Sequence, residues 1–77
     1  MRLKELRELH EKKQREVAEF LHCDQSLYSK YERSEREIPL WVLINLSYFY
    51  HTSIDYLVGL TDEPSPYNRN DKYDTNS

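Results

Sequence analysis

Glycine and cysteine each occur once in 77 residues, and proline three times. A single glycine leaves no glycine-rich loop to cradle a phosphate. A single cysteine excludes an internal disulfide and any multi-cysteine metal site, which fits a reducing, cytoplasmic setting. His10, His22 and His51 are scattered without ligand spacing, so neither a metal site nor a cofactor is expected. No nucleophile has a base at a sensible spacing, which leaves an enzyme as the least supported class. Long apolar runs are missing as well. The longest, Ile38 to Ile44, is interrupted by Pro39 and falls far short of the ~20 residues that span a bilayer. The opening MRLKELRELH is charged and unlike a signal segment. Nor is there an excess of positive charge. Residues 1–60 hold nine Lys/Arg against ten Asp/Glu and residues 61–77 two against four, for a net −3. A near-neutral domain has weak non-specific affinity for nucleic acid, so any such binding must come from local cation placement.

What the chain does have is leucine, glutamate, lysine and arginine, the composition of helices. At this length it makes one small domain, marginal unless compact or oligomeric. Leu3, Leu6 and Leu9 recur with charges between them, which predicts a first amphipathic helix from about Arg2 to Glu11, with Glu8 four residues before Lys12. Val17, Ala18 and Leu21 form one helical stripe and Leu27, Tyr28 and Tyr31 a second. Only His22-Cys23-Asp24 separates them, so the two helices must cross sharply. His22 falls where the first of the pair ends, at a site favouring a positive φ and hence glycine or asparagine. Cys23 is expected to point inward as a small thiol. Asp24 is a good N-cap whose carboxylate can accept from the next turn's amides. Helix, tight turn and capped helix is the layout of a helix-turn-helix. The outer face of its second helix carries Gln25, Ser26, Ser29, Lys30 and Arg33, side chains that donate, accept and in two instances bear positive charge. That face suits the edges of DNA bases.

A polar connection, Ser34 to Ile38, follows and ends at Pro39. Arg36 within it can reach a phosphate or pair with Glu35 or Glu37. A fourth helix is predicted from about Leu40 to Tyr50, with Leu40, Leu43, Ser47 and Tyr50 inward and Trp41, Ile44, Asn45 and Tyr48 on another side. A helix apolar on more than one side is either enclosed or meets a partner, and in so small a protein a partner is favoured. Ser53 then caps a fifth, short helix with Asp55 in its first turn, Ile54 and Leu57 inward, and an end near Gly59. From residue 61 the polar, proline-containing TDEPSPYNRNDKYDTNS reads as a disordered tail, with Tyr67 and Tyr73 as its candidate partner-binding residues.

Four segments together resemble the XRE/Cro-type helix-turn-helix family, which includes phage repressors. They are Gln-x-x-Val-Ala-x-x-Leu at 14–21, Ser-x-x-Ser-Lys-Tyr-Glu-Arg at 26–33, Ile-Pro at 38–39 and Ser-Ile-Asp-Tyr-Leu at 53–57, and the similarity runs from Leu3 to Asp62. The resemblance implies an all-α, compact five-helix bundle over residues 1–60 whose second and third helices face DNA. It implies a phosphate contact for Gln14, base-facing positions for Gln25, Ser26, Ser29 and Lys30, a structural role for Glu32, and a close approach to the backbone at Arg33 and Ser34. His22 and Ser34 replace the family's usual glycines, and Lys13 its usual hydroxyl cap. One module reads only a few base pairs, so a homodimer on a palindromic operator is expected, with half-sites ~34 Å apart. Trp41, Ile44 and Tyr48, with Tyr56 or Val58, are the candidate dimer surface. The function expected is that of a small regulator of transcription, a repressor bound to double-stranded DNA, with its signal arriving through the tail, the dimer surface or a regulatory protein partner. The competing reading is a protein-interaction adaptor with little DNA affinity. An adaptor would tend to carry acids or apolar groups at 25, 26, 29 and 30; none is present.

Overall fold

Every helix among the described residues stops in the same way, and that repetition sets the architecture. The computed structural model describes residues 1–66. Its helices are α1 (Leu3–Leu9), α2 (Gln14–Leu21), α3 (Gln25–Glu32), α4 (Leu40–Phe49) and α5 (Ile54–Val58), with no strand among the described residues. Just past each helix one residue takes a left-handed conformation: Glu11, His22, Ser34, His51 and Gly59, with φ of 55°, 58°, 58°, 52° and 89°. In each turn the following amide reaches back five residues: Lys12 to Arg7, Cys23 to Ala18, Glu35 to Lys30, Thr52 to Ser47 and Leu60 to Asp55, at 2.8–3.0 Å. Together with the shorter bond from the left-handed residue itself, this is the Schellman closure, which satisfies carbonyls the helix would otherwise leave unpaired. Four of the five positions lack the glycine that makes the conformation easy.

Starts are less uniform. The Ser53 side chain accepts from the Tyr56 amide at 3.0 Å, a true N-cap on α5. Lys13 has no acceptor to offer, so α2 is closed from one side only, by the Glu16 carboxylate accepting from the Lys13 amide at 2.8 Å. Asp24 has the extended backbone of an N-cap, but its carboxylate makes no capping hydrogen bond. The cap expected there is absent.

The core follows the α2 and α3 stripes. Val17, Ala18, Leu21, Tyr28 and Tyr31 are all buried, joined by Leu3, Leu6, Val42, Leu43, Leu46, Tyr50 and Leu57. Full burial of a leucine such as Leu46 or Leu57 contributes about 2 kcal/mol. Cys23 is half-buried against this cluster. Two expected core positions fail. Leu9 is 74% exposed, because a spacing of three slips about 60° per step around a helix and carries the third leucine off the buried side. Leu40 is 64% exposed, while Val42 and Leu46 line the interior with Leu43, Ser47 and Tyr50. In a helix apolar nearly all round, composition does not say which side faces inward. Helix α1 is also shorter than its pattern predicts. With Glu11 left-handed, Glu8 and Lys12 share no helical face, and the Lys12 ammonium lies 5.9 Å from the Phe49 ring centre instead.

Arg2 closes the two ends of the domain together. Its Nε donates to the Tyr56 carbonyl at 3.0 Å, and its Nη2 to the Thr61 carbonyl and Asp62 Oδ1 at 3.1 and 2.6 Å. Thr52 Oγ1 donates to the Pro64 carbonyl at 2.5 Å. The polar segment read as a tail from residue 61 is therefore tied to the body as far as Pro64; Tyr67 and Tyr73 lie outside the described residues.

Relieving the left-handed strain tests the capping scheme. His22→Gly, at φ 58° with its turn bonds retained, is expected to stabilise the fold by roughly 0.5–1 kcal/mol, read as a raised midpoint in thermal or urea unfolding. A lowered midpoint would show that the imidazole contributes something this scheme omits.

Candidate nucleic-acid interface

Helix α3 is held from behind and open in front. Tyr28 and Tyr31 sink into the core with Leu27 half-buried beside them, while Gln25, Ser26, Lys30 and Arg33 are exposed and Ser29 is half-buried. The outer face expected from periodicity is thus formed, and none of its four exposed residues is acidic.

Glu32, at the last turn of α3, joins this helix to the two before it. Its carboxylate is 2% exposed and receives the Arg7 guanidinium in a fork, Nε to Oε2 at 2.6 Å and Nη2 to Oε1 at 3.2 Å. Arg7 Nη1 donates at 3.1 Å to the Lys12 carbonyl, just before α2. Gln14 Nε2 donates to Glu32 Oε1 at 3.0 Å. Burial alone works against the charged carboxylate, but the hydrogen bonds from Arg7 and Gln14 outweigh it and hold Glu32 below the usual carboxylate range. The same bond to Glu32 holds the Arg7 proton more tightly than usual. The Tyr28 and Tyr50 hydroxyls are buried with no hydrogen bond of standard geometry. Burial first, then the neighbouring Glu32 carboxylate as an acceptor, push the Tyr28 phenol far above its ordinary value; Tyr50 is pushed up to about 12, mainly by burial.

This network gives Gln14, at the start of α2 as expected, a partner that the sequence did not announce. Its side chain is not a free arm at the start of α2; one amide hydrogen is committed to Glu32. A primary amide has two, so the other remains to donate outward. The arrangement brings the first residue of α2 beside the last turn of α3.

Two arginines flank the face. Arg33 forms a fork with Glu35, at 2.9 and 3.2 Å, on the surface. Glu35 is therefore taken by Arg33 and not by Arg36, which has no ion pair among the described residues. The α4 residues divide as well. Trp41, Ile44 and Tyr48 are exposed, the first by 51%. Tyr56 and Val58 are half-buried against the core, and the Arg2 guanidinium covers the Tyr56 ring at 4.4 Å. No group of three or more possible metal ligands and no helix long and apolar enough to cross a membrane occurs among the described residues. The residue the sequence did not single out is Arg7, whose partner lies 25 positions away and leaves no local signature.

Comparison with known proteins bears on the same stretch. The helix-turn-helix family model matches residues 3–57. The uncharacterized HTH-type transcriptional regulator YobD of Bacillus subtilis (strain 168) is 38% identical over 65 residues, which are 84% of this chain and 58% of that protein. The HTH-type transcriptional regulator ImmR of the same organism is 41% identical over 70 residues, 91% of this chain and 54% of its own. The chain thus spans little more than half the length of these curated relatives. No solved structure matches it.

Glu32 supplies a test through its titration. A carboxylate whose pKa is lowered by folding contributes stability that is complete above its unfolded value and is lost as the pH falls through the folded value. Acid unfolding of the native chain is expected to carry this loss. Glu32→Gln is expected to remove that part of the acid dependence and to cost about 3 kcal/mol at neutral pH by leaving Arg7 buried without its partner. Denaturant melts across the acid range check both.

Proposed function

The chain belongs to the XRE/Cro-type helix-turn-helix family, and from that premise we propose that it is a sequence-specific, double-stranded-DNA-binding regulator of transcription. The observation that carries this reading is the α3 face, exposed at Gln25, Ser26, Lys30 and Arg33 and fixed from behind by the Glu32 network.

The proposed docking puts the N-terminal half of α3 in the major groove. Gln25 pairs with adenine N6 and N7, Lys30 donates to guanine O6 and N7, and Ser26 and Ser29 serve either base type. Gln14, through its second amide hydrogen, and Arg33 and Arg36 set register on phosphates without reading sequence. Arg33 must leave Glu35 to do so, a small cost, because exposed pairs of this kind contribute about 0–1 kcal/mol. Two copies occupy a two-fold-symmetric operator in the cytoplasm and repress by occupancy, meeting through the α4 side that bears Trp41, Ile44 and Tyr48. Tyr56 and Val58 are at most the rim of that contact, since they already pack inward. The same exposed aromatic side favours one other reading, an adaptor for a regulatory protein partner with little DNA affinity.

Selection of bound duplexes from a random-sequence pool at about 0.1 M salt tests the proposal. Enrichment of a two-fold-symmetric site is the expected result; recovery of no preferred sequence favours the adaptor. On the selected site, Gln25→Ala and Lys30→Ala are each expected to cost about 1–3 kcal/mol and to relax preference at their own positions, measured by competition between base variants. Trp41→Ala is expected to weaken self-association; an unchanged sedimentation profile would remove the α4 side from the dimer.

A further inference from the structure

We propose that the Asp24 carboxylate is a base reader, accepting a hydrogen bond from the exocyclic amine of a cytosine in each half-site. The inference rests on α3 being the DNA-facing helix. Its starting point is a cap that is not made. Asp24 stands at the N-cap with φ −68° and ψ 147°, and its backbone carbonyl accepts from the Tyr28 amide at 3.0 Å, yet its side chain makes no capping bond. The residue is exposed, and its carboxylate has no ion pair or hydrogen bond among the described residues. The first turn of α3 forms without a side-chain cap.

Position and chemistry then specify what such a group can do. Asp24 directly precedes Gln25 and Ser26, the exposed residues of the first turn, and that turn lies nearest the base edges when a recognition helix enters the major groove. An ionised carboxylate only accepts. In the groove guanine offers two acceptors and thymine an acceptor and a methyl, cytosine offers a donor, and adenine a donor beside an acceptor. A carboxylate there favours cytosine, tolerates adenine and opposes guanine and thymine. Lys30, Arg33 and Arg36 attract any duplex, whereas Asp24 penalises those without an amine at its position. It lowers affinity in general and sharpens choice.

Two variants of the full chain separate this role from a structural one. Asp24→Ser keeps a side chain that caps well, and Asp24→Asn keeps size and capping while adding a donor. Neither is expected to shift the thermal midpoint downward, since no cap bond is lost. Random-pool selection with the native chain is expected to yield a cytosine at one fixed position in each half-site. Asp24→Asn moves that position to adenine, which an amide pairs bidentately. Asp24→Ser loses roughly tenfold of the discrimination there. Both leave the other positions unchanged and raise affinity for unrelated duplexes. If all three proteins select the same bases, Asp24 does not read, although the DNA-binding function stands. If the native chain selects nothing, that function itself fails and the Asp24 assignment with it.

Discussion

A carboxylate sealed inside a small helical domain is costly unless both oxygens are answered by donors, and Glu32 is the point at which this fold meets that demand. The Arg7 guanidinium answers from α1 and the Gln14 amide from the start of α2. Because Arg7 also binds the Lys12 carbonyl, the α1–α2 connection is drawn into the same cluster. The consequence is geometric. Helix α3 cannot rotate or slide against α2 without stranding a buried charge, so the outward residues keep one orientation. A short helix anchored only by Tyr28 and Tyr31 would have more freedom. In the proposed docking the network serves recognition indirectly: it fixes the platform and touches no base.

The helix ends supply the complementary constraint. Connections of a few residues are possible because each helix closes its own carbonyls within one left-handed turn. Four of those turns use Glu11, His22, Ser34 or His51, where a β-carbon is crowded. The fold accepts that strain because the returning amides and the core on either side overdetermine the turn. At α2–α3 the same closure aims the chain from Leu21 through Cys23 into α3. At the end of α3 it lays Glu35 back on Lys30 and beside Arg33.

Local features were the ones legible in the sequence. The stripe Val17, Ala18, Leu21 and the pair Tyr28, Tyr31 announce themselves by spacing, as do the left-handed site at His22 and the cap at Ser53, because each depends on neighbours within one or two turns. Features decided by distant parts of the chain were not legible. Nothing near Arg7 points to Glu32, and the inward side of α4 is chosen by what packs against it, which exposes Leu40 and buries Val42 and Leu46. For the site, residue types and face could be read, but side-chain commitments could not. Gln14 is half engaged, Arg33 is paired with Glu35, and Asp24 is left uncapped. Each is a choice among rotamers that spacing does not encode.

In the proposed docking, DNA meets this protein along α3 and the start of α2, on a platform held by Glu32. Amide chemical-shift mapping during titration with a selected duplex tests it most directly. Changes are expected to concentrate at Gln14 and across residues 24–36, with the buried Leu46 and Leu57 amides little moved. A titration that binds DNA yet leaves Gln25 to Arg33 unperturbed, and shifts another surface instead, would contradict it.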